Sequence, residues 1–160
     1  MRLLFAFLLC TLSGCRNTSE KTGLEGKEIP HFKVLLMDSS TFLNTENIPG
    51  GKPIVLCFFS PRCSHCIALT QELTSKIKDF SEVRFYMITS LPFKQLEGYY
   101  KAFHLKDYAN ITVGYDYGSS FLHYFHVEMV PYMAIYGKDK KLIKVMFGRI
   151  NTNIIKNIAQ

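Results

Sequence analysis

The hydrophobic and polar positions of the chain change period several times, and each change marks an element. Phe32 to Met37 and Thr41 to Leu43 are β-prone pieces around Asp38-Ser39-Ser40, which predicts a leading hairpin, and Pro49-Gly50-Gly51 predicts a turn after it. Ile54 to Phe59 is a continuous apolar run, Ile-Val-Leu-Cys-Phe-Phe, the pattern of a central strand buried on both faces of a parallel sheet. From Cys63 the period becomes helical. Cys66, Leu69, Leu73, Ile77 and Phe80 form one stripe, which predicts a helix reaching Phe80 with that face on the sheet. Val83 to Thr89 predicts a second buried strand, and Pro92 to His104 a second helix with Ser90 near its cap and Pro92 in its first turn. Ile111 to Tyr115 predicts a third strand and Gly118 to Phe125 a short helix. Tyr132 to Tyr136 and Leu142 to Phe147 read as an antiparallel hairpin around the charged turn Gly137 to Lys141. Asn151 to Ala159 predicts a closing helix with Ile150, Ile154, Ile155 and Ile158 on one side. The order predicts an α/β domain: a central mixed sheet with helices on both faces and an N-terminal β-hairpin extension. No repeat, low-complexity block or linker interrupts it after position 30.

Composition narrows the class. With 160 residues, 48% of them hydrophobic and 20% charged, the chain is neither collagen nor coiled coil nor wholly disordered. Its length suits one domain whose core needs no metal or disulfide staple. The net charge of +6 is spread out, its densest cluster being Lys138, Lys140 and Lys141 around Asp139, so no nucleic-acid partner is expected. Five cysteines, at positions 10, 15, 57, 63 and 66, make an odd count whose members need separate roles.

At the amino terminus, Met1 and Arg2 lead into an apolar stretch from Leu3 to Leu12, too short for the roughly twenty residues that span a bilayer. One basic residue, a short apolar core and then small residues describe a secretory signal peptide over residues 1–14. Leu12-Ser13-Gly14-Cys15 resembles the lipobox of bacterial lipoproteins, which implies acylation of Cys15 and attachment to a membrane by several acyl chains. Arg16 to Lys27 is polar and aperiodic, so 15–27 reads as a lipid-anchored flexible tether and 28–160 as the domain. The expected location is the cell envelope, facing the periplasm or cell exterior, where disulfides form and persist.

Cys63-Ser64-His65-Cys66 stands where the buried strand gives way to the helix. That junction puts Cys63 at the positive end of the helix dipole, where a thiolate is favoured, so Cys63 is expected to be the attacking nucleophile. Cys66 falls one turn deeper on the apolar stripe, shielded but within reach of a Cys63–Cys66 disulfide, and is expected to resolve. Arg62 and His65 add positive or potentially positive charge beside the nucleophile. Competing readings are a zinc site completed by His123 and His126, a structural disulfide closing a tiny loop, or soft-ligand binding of copper by Cys63, Cys66 and a histidine. No metal is assigned. His123 and His126 are expected to be a surface histidine and a partly buried one on an otherwise aromatic helix, and Cys57, inside an apolar run, is expected to be an inert core residue.

The stretch Pro53 to Cys66, together with Met129-Val130-Pro131-Tyr132, is similar to the thioredoxin superfamily, and most of all to its membrane-anchored TlpA/ResA-like thiol-disulfide oxidoreductases. The resemblance covers about residues 26–160. It implies a thioredoxin-like fold, a cis Pro131 packed beside the CxxC, and substrate contacts from Val130, Tyr132, Pro61 and Arg62. It also implies exchange with protein thiols and disulfides, an upstream redox partner, a monomer, and no dissociable cofactor. There are departures. Pro61-Arg62 replaces the usual tryptophan, Cys57 replaces a buried acid, and Ser64-His65 lacks the proline common before the second cysteine. The anchor and the insertion between Cys66 and Pro131 point to a reductant, while the dipeptide resembles that of the oxidant DsbA. A peroxiredoxin shares the fold but carries a threonine where Ser60 stands.

Overall fold

The computed structural model describes residues 21–159. The expected leader (1–14), Cys10, the acylation site Cys15 and the first part of the tether lie outside the described residues. Seven strands form the sheet: β1 (Lys33–Leu36), β2 (Phe42–Asn44), β3 (Ile54–Phe58), β4 (Arg84–Thr89), β5 (Ile111–Tyr115), β6 (Tyr132–Tyr136) and β7 (Leu142–Phe147). The helices are α1 (Ser64–Ser75), α2 (Phe93–Ala102), α3 (Ser120–Phe125) and α4 (Thr152–Ala159).

Strand order is β2-β1-β5-β4-β3-β6-β7. β3, β4 and β5 run parallel, as expected of apolar runs joined through helices, and β6, β7, β1 and β2 are antiparallel additions on the two sides. Successive side chains point to opposite faces. Val55, Cys57, Met87 and Met133 therefore face a core closed by α1, α2 and α4, while Leu56, Phe58, Ile88 and Tyr132 face another closed by α3 and the segment from Ile29 to Phe32. Leu69 and Leu73 of α1 are fully buried, each contributing about 1.5–3 kcal/mol of apolar burial. β1 crosses tightly over β5. A Cβ at Gly114 would meet Val34 at 2.9 Å, so no larger residue fits there.

Several boundaries differ from the sequence pattern. α1 ends at Ser75 and gives way to a 3₁₀ turn, Ile77–Phe80. The Thr74 and Ser75 hydroxyls donate to the carbonyls of Thr70 and Glu72, offering the backbone an alternative to another α turn. Phe80 still reaches the core, but Ile77 is only half-buried. Pro92 is the N-cap of α2 rather than part of its first turn, and Ser90 makes no capping bond. His104, in left-handed conformation, closes the segment after α2. The expected tether also acquires structure before Lys27 ends. Gly26 N–H donates to the Leu142 carbonyl at 2.8 Å, Leu142 N–H donates to Lys27, and Leu24 packs on the second core. Leucine and a β7 edge with free backbone groups supply what the polar composition did not suggest.

Candidate active site

The sheet register assembles the site. Phe58 pairs with Tyr132 across β3 and β6, so the exit of one strand lies beside the entrance of the other. Beyond Phe58, Cys63 N–H donates to the Ser60 carbonyl at 3.1 Å and closes a turn with Pro61 and Arg62 at its corners. Proline suits the first corner because its φ is already set. The turn delivers Cys63 as N-cap of α1, with φ −83° and ψ 122°, and its carbonyl accepts the first helical bond from Ile67 at 3.0 Å.

Cys63 Sγ faces the Val130 carbonyl oxygen at 3.6 Å, across 67 residues of sequence. The Val130–Pro131 peptide bond is cis. Pro131 and Tyr132 are buried, Val130 is half-buried and Met129 is exposed, so this loop runs from solvent into the sheet beside the sulfur. Gly148 N–H donates to the Pro131 carbonyl at 2.9 Å and holds the loop. Only glycine suits that position, since its φ is +75° and a Cβ would press on Met129 Sδ at 3.0 Å. Tyr132 stacks parallel to Phe147 with ring centroids 6.1 Å apart, and burial pushes its hydroxyl up to about 12.

The two thiols of the motif are free and differ in environment. Cys63 is partly accessible, whereas Cys66 is 1% exposed within the core under α1. Burial pushes the Cys66 thiol well above the ordinary thiol range, and the neighbouring Cys63 and Cys57 sulfurs add to the rise. Cys57 is fully enclosed and burial alone pushes it up to about 12, so it stays a neutral thiol. Arg62 and His65 are both exposed, and among the described residues neither forms an ion pair. Ser60 Oγ accepts from Arg62 N–H at 3.3 Å.

His123 and His126 are both exposed, His126 in left-handed conformation at the end of α3. This corrects the expectation that one of the two is partly buried: Phe121 and Phe125 supply the buried face of α3. Among the described residues, no three His, Cys, Asp or Glu side chains converge as metal ligands, so neither the zinc nor the copper set is assembled.

Three features near the site had no signal in the motif. Tyr99 of α2 is buried and donates to the Cys66 carbonyl at 3.2 Å and to Thr70 Oγ1 at 2.7 Å, tying the first turn of α1 to α2. Its ring packs on Phe59, centroids 4.8 Å apart. Asp116 is fully buried at the end of β5 and accepts from Phe121 N–H at 2.8 Å, supporting the start of α3. Its position one residue past an apolar strand and shortly before a short helix was the available clue. Between Pro61-Arg62 and α2 runs a groove.

No protein-family model matches the chain, and no curated protein matches it. Solved structures do. A secreted disulfide oxidoreductase of Mycobacterium tuberculosis is 19% identical with a TM-score of 0.66, over 80% of this chain and 93% of that one. The exposed lipoprotein thioredoxin of Streptococcus pneumoniae is 22% identical with a TM-score of 0.63, over 81% and 98%. StoA of Bacillus subtilis is 13% identical with a TM-score of 0.63, over 82% and 97%. Together with the sheet order and the placement of α1 after β3, this likeness establishes that the chain has the thioredoxin-like α/β fold.

Proposed function

We propose that the protein is an exported thiol-disulfide oxidoreductase, anchored to a membrane of the cell envelope through acylated Cys15, that exchanges disulfides with protein substrates through Cys63 and Cys66. The observation that carries this reading is the pairing of unlike sulfurs at one helix start: Cys63 partly accessible and facing the Val130 carbonyl, Cys66 enclosed one turn later. Two structural neighbours, a secreted disulfide oxidoreductase and an exposed lipoprotein thioredoxin, support the location.

The accessible sulfur reacts first. Deprotonated Cys63 Sγ attacks one sulfur of a substrate disulfide; a Cys63–substrate bond forms, the substrate S–S bond breaks, and its other sulfur leaves as a thiolate that takes a proton from solvent. Cys66 then gives up its proton to solvent, and its sulfur attacks Cys63 Sγ. The mixed disulfide breaks, the second substrate sulfur leaves as a thiolate, and the Cys63–Cys66 disulfide forms. Two electrons pass from the protein dithiol to the substrate, and an upstream redox partner restores the dithiol. Run backwards, the same steps oxidise a substrate dithiol. The raised Cys66 thiol keeps this sulfur protonated and out of competition until the mixed disulfide stands beside it. The backbone at Val130, next to Pro131, offers hydrogen-bonding groups to an extended substrate segment, with Tyr132, Pro61 and Arg62 bordering it and His65 one residue into the helix. The exchange itself needs no cofactor.

Equilibration of the protein with graded mixtures of reduced and oxidised glutathione, followed by alkylation and mass determination, tests this. The reading predicts one reversible two-electron couple confined to Cys63 and Cys66, with a tenfold change in ratio per about 30 mV. Thiols that stay reduced across the whole range would contradict it.

A further inference from the structure

A groove opens between the start of α1 and α2, reaching Arg62, the residue immediately before Cys63. Pro61 and Arg62 form one end, Ile67 and Phe103 contribute to its apolar lining, and Lys94 and Gly98 edge it from α2. Three features distinguish it from ordinary surface. First, both of its charged lining residues are cations. Arg62 and Lys94 are exposed, neither joins an ion pair among the described residues, and no Asp or Glu lines the groove. Second, Lys94, Gly98 and Ala102 follow one another at helical spacing, so α2 presents a face that is small beyond its first residue. Third, Gly98 has nothing within 4 Å of where its Cβ would stand and no unusual φ, so nothing inside the chain calls for glycine there. A mid-helix glycine forgoes about 1 kcal/mol relative to alanine. The helix gives up that stability where the groove is left open.

Resting on the oxidoreductase reading, we infer that this groove docks the segment of a partner protein that flanks the reacting cysteine, and that the segment carries an acidic residue meeting Arg62 and Lys94 over an apolar contact with Ile67 and Phe103. Arg62 is the residue immediately before Cys63, so a segment whose cysteine has joined Cys63 carries its nearest neighbours into reach of the groove. An apolar lining under two unpaired cations suits a side chain with an apolar body next to a carboxylate. Opposite charge accelerates encounter and selects among otherwise similar partners.

The test compares two peptide disulfides, identical except that the residues flanking the cysteine are Glu-Leu in one and Lys-Leu in the other, in exchange with the full chain. The rate with dithiothreitol is measured in parallel. At low salt the acidic peptide should react about tenfold faster than the basic one. The ratio should fall toward one near 1 M salt, where charges are screened within about 3 Å. Lys94→Glu should remove or invert the preference. Gly98→Leu, whose Cβ has nothing within 4 Å and whose side chain would occupy the groove, should slow both peptides. Circular dichroism of each variant checks that it is folded. Exchange with dithiothreitol but a ratio near one at low salt overturns the docking proposal and leaves the oxidoreductase reading standing. A preference that survives unchanged in folded Lys94→Glu and folded Gly98→Leu places recognition elsewhere and overturns it too. A concentration-dependent dimer abolished by Lys94→Glu would make a second copy the occupant and also overturn it. No exchange even with dithiothreitol defeats the oxidoreductase reading itself.

Discussion

The two faces of the sheet are built from the same strands and do different work. The face under α1, α2 and α4 holds all three described thiols, Cys57, Cys63 and Cys66, with the one accessible sulfur at its rim. The face under α3 holds an aromatic cluster without a thiol, in which Phe121 packs against Phe32, Phe58, Phe125 and Tyr132 at centroid distances of 4.5–6.2 Å. Because β3 and β6 contribute alternately to both, the aromatic face fixes the Tyr132 end of the loop whose Val130 end meets Cys63. The thiols lie on one side and the packing that positions the Val130–Tyr132 loop on the other, with β3 and β6 between them.

This division can be broken in graded ways. Phe121→Ala removes the centre of the aromatic face and is expected to cost about 3–5 kcal/mol of unfolding free energy, with dithiothreitol exchange retained in the folded fraction. Urea unfolding paired with exchange kinetics checks both halves. Leu73→Ala, under α1, is expected to cost about 2–5 kcal/mol and, in addition, to raise the accessibility of Cys66 to alkylation in the folded protein. If the two variants affect Cys66 alike, the faces are not separable.

Alkaline pH acts on both faces. Burial holds Cys57 and Tyr132 protonated up to about 12, against ordinary values of 9.0 and 10.0. Between those limits the unfolded chain has lost protons that the folded chain retains, so stability is full below about pH 9 and falls as pH rises toward 12. Cys57→Val should lessen the part of the fall that begins near 9, to which the raised Cys66 thiol also contributes, and Tyr132→Phe the part that begins near 10, to which Tyr86, Tyr99 and Tyr136 also contribute, as read by urea unfolding at several pH values. Stability that rises over this interval would contradict the burial assigned to both groups. The smallest expected effect is Tyr99→Phe, about 0.5–1.5 kcal/mol for the lost hydrogen bonds to the Cys66 carbonyl and Thr70.

The difference between the faces also explains what could be read in the sequence. Ile54 to Phe58, Ile111 to Tyr115, Tyr132 to Tyr136 and Leu142 to Phe147 announce themselves because local apolar periodicity is what buries them. Cys63 and Cys66 were legible for a related reason: their chemistry depends on adjacency in sequence at a strand-to-helix junction. Tyr99, Thr70, Asp116 and the Lys94–Gly98 groove were not. Each acts through a partner on another element, at separations such as the 33 residues between Tyr99 and Cys66, and no periodicity encodes such a meeting. Helix ends were missed where hydroxyl side chains competed for carbonyls, as at Thr74 and Ser75. The early docking of Leu24 and Gly26 was missed because composition describes a tether's polarity and not the strand edge waiting for it.

The proposed order has Cys63 attack and Cys66 resolve. Its most direct test is Cys66→Ser mixed with a protein disulfide substrate, with the products mapped by mass spectrometry after acid quench. A stable mixed disulfide on Cys63 and none on Cys57 is the expected result. A trapped adduct on Cys57, or turnover undiminished by the loss of Cys66, would contradict it.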